Sequence, residues 1–287
     1  MYKFSQLINS TEGIQTTSEL LKLVFGNKRF STEYLNWQYN ENPEGQAVGF
    51  NAYSESGEFA GHYVCQPMKA ILSGKSARGL LSLNTATHPN HQGKGLFTEL
   101  AKKTYEQAHE FGYEFVIGVA NQKSTHGFVK KLGFQFVGKL NAVVGVGSVA
   151  ENCFYPNETF FSQYDFIRVW NKKSLQWRIA NPENKYCIRK NKNHFEIIST
   201  TDNLLIKTVV GSVDETIFPV SSSKIQINKP FTLLIGINSA VKSSLYFSIP
   251  DFLRPSPLNL IFKDITGKNK KIDFDKTFFS AIDFDAY

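Results

Sequence analysis

The stretch from Leu80 to Phe134, LLSLNTATHPNHQGKGLFTELAKKTYEQAHEFGYEFVIGVANQKSTHGFVKKLGF, decides how this chain is read. LLSLNTATHP is apolar and rich in β-branched residues, and so predicts a strand that stops at Pro89, where the backbone donor is missing. NHQGKG is a glycine-bearing turn. From Leu96 the apolar residues return at Leu100, Ala101, Thr104, Tyr105 and Ala108, one face of a helix, and Gly112 after Phe111 suits its end. YEFVIGVA then reads as a strand buried on both faces. NQKSTHGFVKKLGF opens with capping residue types and predicts a second, shorter helix that stops at Gly133. FQFVGKL closes the unit as another strand.

A strand that passes through a glycine turn into a helix leaves backbone N–H groups unpaired at the positive end of the helix dipole, which makes an anion site. Phosphate is the natural guest. Gly93 and Gly95 let the backbone approach a pyrophosphate closely, and Gln92 and Lys94 add side-chain donors. The turn is not a P-loop, which needs Gly-Lys-Ser/Thr after four spacers. Nor does it have the three glycines of a dinucleotide fingerprint.

Working outward, the chain has 287 residues, 41% hydrophobic and 20% charged, the composition of a globular protein of about two domains. The longest apolar runs, such as Phe231 to Ile237, fall well short of the roughly 18 residues of a membrane span, and MYKFSQLINSTEG has no apolar signal core. Cys65, Cys153 and Cys187 are odd in number and far apart, which suits reduced thiols, so a cytoplasmic protein is expected. The net charge of +7 is spread along the chain rather than gathered into a nucleic-acid-binding stripe, so no nucleic-acid partner is expected.

LNWQYNENPEG begins at Leu35 and LQWRIANPENK begins at Leu175, 140 residues later. Each holds Leu, Trp two residues on, and Asn-Pro, and each precedes a hairpin: Ala47–Tyr53 with Phe59–Gln66, then Tyr186–Arg189 with His194–Ser199. Two similarly built halves are expected, 1–145 and 146–287. Trp37 and Trp177 read as packing anchors because they recur. In the second half no glycine turn opens a helix between Thr201 and Phe262. Its aromatics Phe231, Tyr246, Phe247 and Phe252 suit a buried interface or, for any single one, simply its core.

The segment THPNHQGKGLFTEL, followed by VIGVANQKSTHGFVKKLGF, resembles the GCN5-related N-acetyltransferase (GNAT) superfamily, whose signature is a strand, Gln/Arg-x-x-Gly-x-Gly/Ala opening a helix, and a downstream Asn and Leu-Gly-Phe. The resemblance covers about residues 79 to 140 directly. It implies an α/β (α+β) fold with a mixed central sheet of the acyl-CoA N-acyltransferase type, in two tandem domains of which the second is degenerate and binds no coenzyme A. It implies acetyl-CoA as co-substrate, with its pyrophosphate on Gln92, Gly93, Lys94, Gly95, Leu96 and Phe97. The thioester would be polarised from Thr85, Ala86 and Thr87, with Asn121 and Ser124 at the cofactor's edge. Two residues depart from the pattern. Phe97 stands where Gly or Ala is usual, and Val129 stands where many members place a tyrosine that protonates the leaving thiolate, a task left to water, Ser124 or Thr125.

The activity implied is direct, sequential N-acetylation of a primary amine of a small molecule, an amino sugar or an aminoglycoside-like amine. The alternatives are a protein, peptide or aminoacyl N-acyltransferase, and a non-catalytic acyl-CoA sensor. No covalent acetyl-enzyme is expected, since no Cys or Ser is visibly paired with a base. No metal is expected: His88 and His91 are three apart but lack nearby Cys or carboxylate companions. An attacking amine must lose its proton. Glu41, Glu44, His62 and His88 are candidate bases in the first half. The chain end FFSAIDFDAY adds Asp283, Asp285 and the terminal carboxylate of Tyr287, and is similar to the ending of multidomain aminoglycoside acetyltransferases in which that carboxylate reaches the active site. His88 and Tyr287 are the two catalytic candidates carried forward, against the plainer reading that the tail completes the second domain's sheet. The oligomeric state is not legible.

Overall fold

The computed structural model describes residues 1–27, 29–146, 155–156, 158–191, 194–201, 203–214, 227–237, 245–254 and 256–284, so Cys153, Asp285 and Tyr287 lie outside the described residues. The chain begins with β1 (Lys3–Gln6), α1 (Thr11–Phe25), α2 (Thr32–Tyr39), β2 (Val48–Tyr53), β3 (Phe59–Leu72) and β4 (Lys75–Thr87). Then come α3 (Leu96–Glu110), β5 (Phe115–Ala120), α4 (Gln122–His126), β6 (Gln135–Lys139) and β7 (Asn141–Gly145). The second half adds β8 (Phe166–Arg168), α5 (Lys172–Ile179), β9 (Tyr186–Asn191), β10 (His194–Thr200), β11 (Ile206–Asp214), β12 (Phe231–Ile237), β13 (Tyr246–Ser248), β14 (Asn259–Asp264) and β15 (Thr277–Ser280). The segment LLSLNTATHP through FQFVGKL folds as its pattern predicts except in its second helix, where α4 ends at His126 and a π-helical turn, Gly127–Lys131, carries the chain to Gly133; Gly112 and Gly133 are both at positive φ.

Local chemistry sets the helix ends. Ser10 and Ser31 cap α1 and α2 by accepting from the backbone N–H groups of Gly13 and Tyr34, and Asn121 and Asn171 form capping boxes with Ser124 and Ser174.

The strands form one mixed sheet in the order β6-β14-β5-β4-β3-β8-β15-β12-β11-β10-β9. The two halves exchange strands across the expected boundary after residue 145. β14, from late in the chain, is antiparallel to both β5 and β6. β7, from the first half, is antiparallel to β12 and β13. The halves also repeat a pairing scheme, since β4 is parallel to β5 and β11 is parallel to β12. The crossovers differ. Residues 88–114 carry α3, whereas the shorter connection 215–230 has no helix in its described part, 227–230.

One apolar core spans both halves. Phe115 stacks on Phe262 at 5.7 Å and meets Phe166 edge-on at 5.6 Å, Phe166 packs on Phe279, and Phe279 stacks on Phe284 at 5.6 Å. The expected aromatic interface is corrected in part. Tyr246 is buried, but Phe231, Phe247 and Phe252 are exposed: Phe231 opens β12, among the described residues β13 pairs only with β7, and Phe252 lies on a short turn beyond it.

The repeated Leu-x-Trp segments meet face to face. The rings of Trp37 and Trp177 stack with centroids 4.8 Å apart and planes 14° from parallel. Each indole N–H donates to the backbone carbonyl of the other tryptophan, at 2.8 and 3.0 Å. The caps reciprocate: Ser31 donates to Glu183 at 2.8 Å, and Asn171 donates to Glu44 at 3.0 Å. Both indole donors are buried and satisfied, so truncation removes packing and orphans a carbonyl. Trp177→Ala is expected to cost about 3–5 kcal/mol, and Trp37→Ala with Trp177→Ala together less than the sum. Chemical denaturation of the three variants checks this, and strict additivity would show that the rings act independently.

Candidate active site

The parallel pairing of β4 with β5 covers four residue pairs, Gly79–Ser82 with Phe115–Gly118. Beyond Ser82 and Gly118 the strands part. A β-bulge falls at the same place: against β3 the register shifts between His62 and Val64, leaving Asn84 and Thr85 opposite Tyr63. Asn84 takes φ +46°, in the left-handed region that asparagine tolerates better than most residues.

The gap holds a cavity of about 430 Å³. Its walls include Ser82, Asn84, Thr85 and Thr87 from β4, Val119 from the end of β5, Asn121 at the cap of α4, Phe97 from α3, and Ser124 and Phe128. Leu258 and Ile261 contribute from the second half. A second cavity of about 240 Å³ lies beside it, lined by Phe25, Arg29, Phe30, Tyr34, Gln38 and Phe284. The two share Phe25, Ser82, Leu83, Asn84 and Val119, so they meet at the gap.

At the start of α3, Gly93 and Gly95 have φ of +76° and +78°, and a Cβ built on either would meet nothing within 4 Å. Gly95 caps α3 without a side-chain hydrogen bond, and the N–H groups of Gly93 to Phe97 have no acceptor among the described residues. Gln92, Gly93, Lys94 and Gly95 are exposed, while Leu96 is buried and anchors the turn to the core. Lys94 lies 3.3 Å from the carbonyl of Asn90. The loop is therefore an open cradle of donors at a helix N-terminus, with room for an anion.

The sequence candidates separate here. Thr85, Thr87, Phe97, Asn121 and Ser124 line the larger cavity, but Ala86 turns its methyl into the core on the other face of β4, beside Val64. Phe97 meets Phe128 edge-on at 5.1 Å and Tyr63 at 6.2 Å. Its ring sits where Gly127 has no side chain: a Cβ there would lie 3.0 Å from the ring. Val129 packs against the core and offers no hydroxyl. Asn121 spends its side-chain oxygen on capping α4.

His88 lines neither cavity. The turn begun by Pro89 carries its ring toward Glu58, 3.6 Å away, which also lies 2.9 Å from His91. This corrects two readings: His88 does not face the gap, and the histidine pair does have a carboxylate companion, supplied from β3's approach. Tyr287 is outside the described residues, but Phe284, three positions earlier, lines the second cavity. The segment before it is bolted down by buried Arg168 and Arg178. Arg168 donates to the carbonyl of Asp283, and Arg178 to those of Ile282 and Phe284, while Trp170 donates to the Asp283 carboxylate. Asp283 is buried in these contacts and lines neither cavity. Burial pushes its carboxyl up, opposed chiefly by the nearby Arg168 guanidinium.

Ser82, Asn84, Gln38 and Leu258 were not anticipated. At the junction of the cavities Ser82 shares a hydrogen bond with the Tyr63 hydroxyl at 2.8 Å, and that hydroxyl shares another with Tyr105 at 2.7 Å. Burial holds both phenols protonated and pushes the Cys65 thiol up to about 12, so Cys65 is inert. On the other side, His62 donates from Nδ1 to Asn51 at 2.7 Å and accepts at Nε2 from Tyr39 at 3.0 Å. The amide of Asn84 donates to the Tyr39 oxygen and to Gln38. His62 is thus a structural pin for the bulge, not a base.

Compared with known proteins, residues 9–137 match the model of a family described as an acetyltransferase (GNAT) domain. A GCN5-related N-acetyltransferase from Anabaena variabilis is similar with TM-score 0.63 at 13% identity, over 92% of this chain and 73% of that one. A conserved protein of unknown function from Enterococcus faecalis, described as a probable N-acyltransferase, gives 0.60 at 9%, over 92% and 73%. The Saccharomyces cerevisiae N-myristoyltransferase solved with myristoyl-CoA gives 0.56 at 10%, over 91% and 82%. At these identities the likeness is one of fold, and a search of curated proteins finds no match.

Burial lowers the pKa of His62 from 6.5 to about 3. The unfolded chain therefore binds this proton first, and stability falls as pH drops below about 6.5 toward 3. Between pH 7 and pH 5 the loss from this group is expected to be about 2 kcal/mol. Denaturation at both pH values checks it against His62→Gln, in which this part of the pH dependence should vanish. An equal dependence in the variant would remove His62 as its source.

Proposed function

We propose that this protein, whose residues 9–137 match the model of the GNAT acetyltransferase domain, transfers an acetyl group from acetyl-CoA to a primary amine of a small molecule, by direct attack in a ternary complex. The observation that carries the proposal is the gap between β4 and β5, whose cavity is walled by Phe97 at the end of the glycine cradle and shares Ser82 to Asn84 with a second cavity. The cradle fits the cofactor: its N–H groups lack acceptors among the described residues, and the space a side chain would fill at Gly93 and Gly95 is free.

On this reading the N–H groups from Gly93 to Phe97 and the positive end of α3 take the pyrophosphate, with Gln92 and Lys94 as exposed donors and Lys123 at the cavity wall. Acetyl-CoA bound there supplies the thioester, whose C–S bond is exchanged for a C–N bond to the amine. The edge of β4 past Ser82 has lost its β5 partner, so those backbone N–H groups between Leu83 and Thr87 that face this edge rather than β3 are available to polarise the carbonyl. The Ser82 hydroxyl, which lines the gap and is backed by Tyr63 and Tyr105, takes the place of the missing tyrosine at Val129 as proton donor.

The second cavity holds the acceptor among Arg29, Tyr34 and Gln38, and its size suits a small polar amine such as an amino sugar. None of the described residues lining either cavity is a carboxylate or an imidazole. The amine's proton is assigned to the segment that follows Phe284, which carries Asp285. The second half has no counterpart of the cradle among its described residues, so one cofactor per chain is proposed.

Calorimetry with acetyl-CoA is expected to give one equivalent, with binding tenfold or more weaker in Gly95→Val, where a branched side chain is forced to φ +78°. Unchanged affinity in that variant would remove the cradle from the account. Deleting 285–287 should leave that affinity and the melting temperature in place while thiol release with an amine panel falls at least tenfold. Full turnover in the truncated protein would move the base elsewhere.

A further inference from the structure

We infer that Glu58, His88 and His91 form a binding site for a zinc-class divalent metal ion beside the anion cradle. The ligand atoms of the three residues all lie within 4.8 Å of one another. His91 Nε2 is 2.9 Å from one carboxylate oxygen of Glu58, and His88 Nδ1 is 3.6 Å from the other. Bonds of about 2.0–2.1 Å in a tetrahedral site set ligand atoms about 3.4 Å apart. The trio therefore needs side-chain adjustments of roughly an ångström or less, with no backbone movement.

The outer contacts have the form a metal site requires. The other nitrogen of His91, Nδ1, is held by the Tyr2 hydroxyl at 2.8 Å, and the Tyr2 ring stands edge-on to the imidazole. That partner fixes the ring and leaves Nε2 for the ion. The backbone is rigid on both sides. His88 donates to the carbonyl of Ala60 at 2.9 Å and His91 to that of His88 at 2.9 Å, which closes the turn that brings the two rings to one side. Glu58 closes its own turn with Ser54 through two hydrogen bonds. The one contact the ion would displace at His88 Nδ1 is a long one, 3.3 Å from the N–H of Asn90.

Two imidazoles and one carboxylate select zinc and its neighbours over magnesium or calcium, which prefer all-oxygen shells. Glu58 is partly exposed, so solvent completes the coordination. None of the three residues lines either cavity. The ion would tie the β2–β3 turn to His91, the residue just before Gln92 of the cradle, and so brace the loop without entering the chemistry.

Tag-free full-length protein titrated calorimetrically with zinc chloride, without coenzyme A, should bind one equivalent and give no heat with magnesium chloride. His88→Ala with His91→Ala should weaken zinc binding tenfold or more. Should that variant fail to fold by circular dichroism, Glu58→Gln, in an exposed turn, is expected to weaken it in the same direction. Absence of saturable zinc binding in the wild type, or equal binding in the variants, would overturn the site. Because coenzyme A is absent from the titration, neither result depends on the acetyltransferase reading.

Discussion

Everything at the candidate site depends on how β5 is held. Along one edge it bonds to β4 for four residue pairs and then lets go. Along the other it bonds to β14 through six, from Asp264 opposite Phe115 to Asn259 opposite Ala120. A strand fully satisfied on its far edge can leave its near edge open without becoming loose, so the gap is a fixed feature of the sheet rather than a frayed end. The bulge at Asn84 serves the same purpose on β4, and the His62–Tyr39–Asn84 chain holds that bulge from behind.

Since β14 comes from late in the sequence, the first half cannot complete its own cleft. The exchange of β7 for β14, the stacked Trp37 and Trp177, and the phenylalanine ladder from Phe115 to Phe284 make the halves a single mechanical unit. The buried guanidinium groups of Arg168 and Arg178 extend it to the chain's last described residues, which is how Phe284 comes to the wall of the second cavity.

What was legible in the sequence was local. Hydrophobic periodicity, Pro89, Gly112, Gly133 and the HQGKG turn placed β4, α3, β5 and the cradle correctly, because each is set by neighbours a few residues away. The 140-residue echo of Leu-x-Trp and Asn-Pro was visible, though not that the two tryptophans touch. What could not be read came from far along the chain: Leu258 and Ile261 reach the cavity through an inserted strand. Glu58 meets His88 and His91 across a hairpin. Ser82 and Asn84 carried a weak signal, polar residues inside an otherwise apolar strand, that marks a bulge only once its β3 partner is known.

The central claim is that the parted strands and the glycine turn form one ligand site. Hydrogen–deuterium exchange with and without acetyl-CoA tests it most directly. The account predicts slowed exchange confined to residues 83–87, 93–98 and 119–124. No change there, or protection centred on β9 to β11 instead, would contradict it.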